Sequence, residues 1–408
     1  MWQYSDCVFI EYEFDLGSRF LGKCLFKIDL LSTNEDHKKY FFRRCQFNMK
    51  KPTVATLFAG CGGDSLGFTD AGFDLVFAND NNPDACDTLR KRFENSSGKK
   101  IVHKGNVEKI NDFGTANVIT GGFPCQGFSL AGPRDVDDKR NRLYRELRRS
   151  IELVKPEFFV GENVKGLVTL GEKSKSKYFQ DGKIAKLGKV AEVIIKELSE
   201  IDGGYNVSYE LHNAKNFGLP QDRARIIIVG VRKDLDFKFK FPKPTHGKGL
   251  LPYVSMLGHG VKDVPFRKDE VFMEKKGERK DYFSSRYMSR NRIRRWNEVS
   301  FTIPAEASQV LAHPSCERMW DIDVSGKNRP KDSEWNEFRK KHENKISKDL
   351  IRMSWRQCAC IQGFPNDYPF CGNTVSIYRQ IGNAVPPLLM QKIAECIMPY
   401  FKGKKSSY

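Results

Sequence analysis

The sequence contains no run approaching 18 apolar residues, which excludes a membrane-spanning helix. Its opening, Met1-Trp2-Gln3-Tyr4-Ser5-Asp6, lacks the basic start and apolar stretch of a secretory signal. The eleven cysteines form no Cys-x-x-Cys pair, and Cys358-Ala359-Cys360 is not a zinc spacing, so no metal site is expected. With no export signal, such scattered thiols read as reduced cysteines in a reducing compartment. Acidic side chains are the scarcer sign, 51 against 69 Lys and Arg, and the net charge is +18. That excess favours a polyanionic partner, nucleic acid first, although a basic surface alone raises the odds only modestly.

What is present suits a folded chain of 408 residues, 39% hydrophobic and 29% charged. Its length predicts two domains. Residues 1–48 are rich in Phe, Tyr and charge, without a clear period or motif. They read as an N-terminal extension, with Met49 a candidate native start. Regular strand–helix alternation then runs to about residue 240. From 241 to 348 Pro, Gly, Lys and Arg dominate, and residues 349–408 return to apolar helical patterning. The expected architecture is therefore an α/β catalytic domain over 49–240, interrupted by a smaller basic domain at 241–348 and completed by 349–408.

Five stretches carry chemistry. A β-like run at 53–59 leads into Gly60-Cys61-Gly62-Gly63, the strand and glycine turn that open a nucleotide-binding unit. The pattern is G-x-G-G and not the full G-x-G-x-x-G, so it does not demand a dinucleotide. A second strand at 74–79 ends at Asp80, where this architecture holds a ribose, although a helix cap is the commoner use of such an aspartate. A third is expected at 101–107.

The run 117–120 ends in Gly121-Gly122-Phe123-Pro124-Cys125-Gln126-Gly127-Phe128-Ser129, a cysteine fixed behind a proline at a strand tip. It reads as a positioned thiolate, the ordinary alternative being a small buried cysteine. A strand at 157–160 delivers Glu162-Asn163-Val164 to the same edge, and in Gln221-Asp222-Arg223-Ala224-Arg225 both arginines are expected on one side. Residues 130–139 have the composition of a mobile loop, and 284–296 interleave five arginines with Tyr287 and Trp296.

Taken in order, Phe58-x-Gly60-x-Gly62-Gly63, Pro124-Cys125-Gln126-x-Phe128-Ser129, Glu162-Asn163-Val164, Gln221-x-Arg223-x-Arg225 and Gly382-Asn383-Ala384-Val385-Pro386 resemble the cytosine-5 DNA methyltransferase family of bacterial restriction–modification systems. The resemblance runs from about residue 53 to the C-terminus and implies a Rossmann-like S-adenosylmethionine-dependent fold with a smaller, irregular target-recognition domain. It implies a bacterial, cytoplasmic, DNA-associated enzyme that flips a cytosine from a short duplex site and methylates C5. A cognate endonuclease acting on the same site is implied as a companion.

Residue by residue, the resemblance gives Cys125 as nucleophile, Glu162 on the cytosine edge, and Arg225 as its partner with Arg223 in support. It gives Phe58, Gly60, Cys61, Gly62, Gly63, Asp80, Asn106, Pro124, Asn383 and Val385 to the cofactor, with Asn106 where an aspartate is usual. Ser129, Arg140, Arg142, Arg290, Arg292, Arg294 and Thr302 fall to DNA, and residues 288–314 resemble recognition regions for GC-rich, GGCC-like sites. Ser354 and Gln357 replace a usual Thr and Glu at a helix start, so its capping is expected to differ. The competing readings are a tRNA cytosine-5 methyltransferase on the same scaffold, a nucleotide-dependent oxidoreductase, and a DNA-binding protein with an inactive methylase fold, the last opposed by the intact Cys125 and Glu162.

Overall fold

The computed structural model describes residues 7–15, 21–29, 51–95, 98–124, 143–169, 178–180, 183–276 and 282–403. The chain divides into two compact units, Met1–Lys51 and Pro52–Tyr408. In the first, β1 (Cys7–Asp15) and β2 (Leu21–Asp29) form an antiparallel ladder from Cys7 opposite Asp29 to Asp15 opposite Leu21. The aromatic content noted there favours strand.

The second unit is built on a seven-stranded sheet. Its strands are β3 (Thr53–Leu57), β4 (Asp74–Asp80), β5 (Val102–Lys104), β6 (Val118–Gly121), β7 (Phe158–Val164), β10 (Tyr205–Asn213) and β11 (Ala224–Arg232). The spatial order is β10-β11-β7-β6-β3-β4-β5. The five strands from β7 to β5 run parallel, while β11 is antiparallel to both its neighbours. Two-residue strands β8 (Phe179–Gln180) and β9 (Lys183–Ile184) form a separate small ladder.

Both faces of the sheet are covered. On one, Val54, Val118, Phe158, Val160, Ile227 and Val229 pack in a cluster with the C-terminal helices. On the other, Leu57, Ile119, Phe159, Ile226 and Ile228 pack with α3 (Tyr144–Val154) and α4 (Lys189–Ser199). Adjacent Phe158 and Phe159 thus anchor opposite layers, each fully buried and worth about 1.5–3 kcal/mol.

The short strand after β4 ends at Lys104, earlier than the expected 101–107. Gly105 has φ 146 and Asn106 caps the 3-10 turn Val107–Lys109, so the ladder stops there. β7 runs to Val164, past the expected end, so Glu162 projects from inside a paired strand.

Within residues 241–348, Met256, Val261, Ile303, Val310 and Leu311 join the sheet's main cluster. A second set around Tyr287, Trp320 and Trp335, carried in part by α5 (Ser285–Met288) and α6 (Trp335–Lys341), forms its own small core, which Leu350 joins from just beyond the segment. α7 (Trp355–Gln362) starts with a complete capping box: Ser354 Oγ accepts from Gln357 N at 3.3 Å and Gln357 Oε1 from Ser354 N at 3.1 Å. The expected difference in capping is not found, because a serine hydroxyl and a glutamine carbonyl meet the same two donors. α8 (Thr374–Asn383) and α9 (Pro387–Gly403) close the unit.

Candidate active site

Local sequence explains the site's glycine wall. β3 ends at Leu57, and Phe58 (φ 53) and Gly60 (φ 55) both take left-handed backbone before α1 (Gly63–Asp70) begins. Left-handed geometry at Phe58 is unfavourable for a bulky side chain and marks a functional turn. The turn is held by Asp80, whose Oδ2 accepts from Gly60 N at 2.8 Å and whose Oδ1 accepts from Asn82 N at 2.8 Å. The cap of α2 (Pro83–Leu89) is Asn82, so Asp80 serves the glycine turn and is not the helix cap. Around Gly60 there is open space where a side chain would stand, whereas a Cβ on Gly63 would lie 2.1 Å from the Val385 carbonyl oxygen. The wall is thus open toward a ligand at one end and locked to residues 382–385 at the other.

The edge carrying the expected catalytic residues is assembled by the reversal of β11. Ile227 pairs with Glu162 and Arg225 with Val164, which places Arg225 and Glu162 on one face. Arg225 Nε lies 2.8 Å from Glu162 Oε1, with both side chains about one-tenth exposed. Glu162 Oε2 reaches over Gly122, 3.1 Å from where a Cβ would stand. Asn163 Nδ2 donates to the Phe123 carbonyl at 3.2 Å, fixing the chain two residues before Cys125. Burial pushes the Glu162 carboxyl above the ordinary carboxylate range, against the opposing pull of Arg225 and Arg223. Cys125 itself, with Ser129, Arg140 and Arg142, lies outside the described residues.

Other expected residues stand elsewhere than sequence alone suggests. Arg223 precedes β11, is fully buried, and donates to the carbonyls of Ile303, Gly382 and Ala384. Asn106 is exposed and already engaged: its Oδ1 accepts from Glu108 N at 3.1 Å and its Nδ2 donates to Glu108 Oε2 at 2.9 Å. Asn383 is exposed at the end of α8, while Val385 is buried against Gly63 and Gly122. Cys61 is fully buried, its carbonyl accepting from the Tyr368 hydroxyl at 2.5 Å. Burial pushes its thiol pKa up, and the thiol donates to the Gln380 carbonyl.

In the basic stretch, Arg290 is exposed, but Arg292 turns inward. It donates to the carbonyls of Tyr287 and Gln309 at 2.9 and 3.1 Å and stacks 4.7 Å from the Tyr287 ring centroid. Arg294 lies 3.1 Å from Glu298 and 3.9 Å from the Phe301 ring centroid, and the exposed Thr302 donates to the Asp222 carbonyl at 2.5 Å. Sequence reasoning passed over Asp64, a buried carboxylate at the start of α1 whose pKa burial, then the nearby Glu162 charge, raise to about 7. Its signal was an acid placed directly after the glycine pair. No group of three or more candidate ligands able to hold a metal ion occurs among the described residues.

The sequence profile of the C-5 cytosine-specific DNA methylases matches residues 53–398. The chain belongs to this family. As a cytosine-5 DNA methyltransferase it is similar to the type II methyltransferase M.BsuRI of Bacillus subtilis, 34% identical over 95% of this chain and 88% of the relative. It is also similar to the type II methyltransferase M.MthTI of Methanothermobacter thermautotrophicus, 37% identical over 86% of this chain and 98% of the relative. Its fold matches the crystal structure of the S. pombe Dnmt2 methyltransferase with a TM-score of 0.56 at 16% identity, covering 86% of this chain and 99% of that one. The α/β methyltransferase architecture of this cytosine-5 methylase is therefore the one its sequence predicts, with the antiparallel β11 set inside the sheet. Among the described residues no helix is long and apolar enough to cross a membrane.

Proposed function

We propose that this cytosine-5 methylase takes its methyl group from S-adenosylmethionine and transfers it to a cytosine flipped out of a short specific duplex site, protecting DNA in a restriction–modification system. The observation that carries the reading is the buried Arg225–Glu162 pair beside Gly122, at the edge that also bears the glycine wall. The type II relatives favour duplex DNA, and the +18 charge suits that partner. A cognate endonuclease recognising the same site belongs to this reading, as does a cytoplasmic, DNA-associated setting.

The residues present fit the cofactor: Gly60 opens onto free space, and Asp80 stands behind it at the β4 tip, where a ribose diol is held. Phe58 would face the adenine, and Cys61, Gly62, Gly63, Pro124 and Val385 would line the amino-acid end. The bound cofactor supplies an electrophilic methyl group. Asn106 and Asn383 are the weakest members of the set, the first being committed to Glu108 and both being exposed.

Cys125, one residue past the described Pro124, attacks cytosine C6 and makes C5 nucleophilic; once C5 carries the methyl group, loss of its proton expels the thiolate and restores the aromatic ring. Glu162 donates a proton or hydrogen bond at N3, which its raised pKa favours, and Arg225 stabilises charge developing toward O2. Arg223 touches neither ring nor methyl donor in this reading and is a positioning residue. The irregular segment 241–348 is the target-recognition domain, with Arg290, Arg294 and Thr302 toward DNA together with Ser129, Arg140 and Arg142. Arg292 then supports that surface from within.

Bisulfite sequencing of DNA from cells expressing the protein tests the assignment. Full conversion protection at cytosines of one short motif is the expected result. Unprotected DNA alongside methylated tRNA from the same cells would replace it with the tRNA reading.

A further inference from the structure

We infer that Arg223 makes the recognition segment and the cofactor wall one mechanical element, so that duplex DNA and cofactor bind cooperatively through it. This rests on the proposed roles of Thr302 and Val385. Arg223 contributes three hydrogen bonds to two segments remote in sequence. One goes to the Ile303 carbonyl at 3.3 Å, next to Thr302, and two go to Gly382 and Ala384 carbonyls at 2.8 and 2.9 Å, next to Val385.

Gln221 completes the join from the other side. Its Oε1 accepts from Ile303 N at 3.0 Å, and its Nε2 donates to Gln362 Oε1 at 2.5 Å, while Gln362 Nε2 donates to the Ala384 carbonyl at 2.6 Å. Both backbone polar groups of Ile303 are therefore engaged by the pair Gln221 and Arg223. The two segments also meet directly: a Cβ on Gly382 would lie 2.3 Å from the Pro304 carbonyl oxygen. Beyond Ala384, Val385 touches the glycine wall at Gly63, and its side chain shares the space over Gly122 with Glu162 Oε2.

A simple core arginine would not need this arrangement. Full burial of a guanidinium is costly, Arg223 Nε has no partner, and Arg225 adds like charge nearby, which the attraction of Glu162 opposes less strongly. The planar fork of arginine spans two segments at once, which the point charge of lysine does not. A duplex that fixes residues 300–305 therefore also fixes 382–385, and by linkage the cofactor must strengthen DNA binding by the same factor.

The test measures the dissociation constant of S-adenosylhomocysteine for the full chain, with and without fragmented duplex DNA lacking cytosine methylation. The wild type is expected to bind it about 5- to 150-fold tighter with DNA. Arg223→Lys should bring that ratio to about one while shifting the DNA-free constant by less than about threefold. If Arg223→Lys fails to fold, Gln362→Met, which frees Ala384 from one of its two donors, should reduce the ratio in the same direction. An unchanged ratio in both variants overturns the inference, as does equal weakening with and without DNA, the mark of a merely structural role. A wild type that binds the cofactor product yet shows no DNA effect refutes the coupling alone. One that binds no cofactor product refutes the functional reading beneath it.

Discussion

The proposed chemistry turns on one buried pair, Glu162 and Arg225. Desolvation disfavours the charged carboxylate, while a guanidinium at 2.8 Å favours it, and the burial effect is the larger. Glu162→Gln keeps the shape but cannot supply a proton, so turnover should fall at least about 100-fold with cofactor binding near normal. Rapid-quench methyl transfer beside cofactor titration measures both. The two residues were legible from sequence as motif members. Asp64 was not, because its place after the glycine pair says nothing of the burial that perturbs it.

Two further buried groups contribute to the pH response of stability, with opposite signs. Asp64 has its pKa raised from 3.8 to about 7, so the native state binds the extra proton and stability falls as pH rises through that window. Asp64→Asn should therefore raise the melting temperature at pH 8.5 by more than it does near pH 4. His212, buried between Phe217 and Phe241, is lowered by burial from 6.5 to about 4. Its contribution is present above pH 6.5 and is lost as pH falls toward 4. His212→Phe should flatten that acid-side loss, which melting curves between pH 7 and 4.5 would show.

At the scale of elements, the strand–turn–helix order, the amphipathic α3 and α4 and the antiparallel closing pair were legible from periodicity and glycine punctuation. What periodicity missed were contacts between distant segments. The inward turn of Arg292 depends on Gln309, and the burial of Arg223 depends on carbonyls 80 to 161 residues away. The early end of β5 was missed because Asn106 reads equally well as ligand contact or cap. Glycine packing yields a sharp expectation here. Gly63→Ala and Gly382→Ala each drive a Cβ into backbone oxygen, at 2.1 and 2.3 Å, and should each destabilise the fold by about 1–3 kcal/mol. Gly60→Ala meets no atom within 4 Å and carries only the strain of φ 55. Denaturant unfolding of the three variants would rank them.

For the whole molecule, the unit boundary at Lys51/Pro52 predicts that a chain beginning at Met49 folds and methylates DNA as the full chain does. Aggregation of that truncation, or loss of its activity, would assign residues 1–48 a necessary part. The excess of 18 positive charges predicts a steep salt dependence. DNA affinity should fall at least about tenfold between 50 and 200 mM salt, measured by fluorescence anisotropy, while cofactor affinity changes little.

The reversed strand carries one more implication. In a uniformly parallel sheet only strand ends reach the rim where ligands sit, but β11 starts there, so a hairpin connection delivers its side chains to the reaction. Side chains alternate between the layers at every position. One amino acid inserted between residues 225 and 227 would therefore send the guanidinium to the opposite layer. The acid would lose its companion, and because Arg223 shifts along with Arg225 the bonds to the Ile303, Gly382 and Ala384 carbonyls would go too, so both turnover and stability should fall.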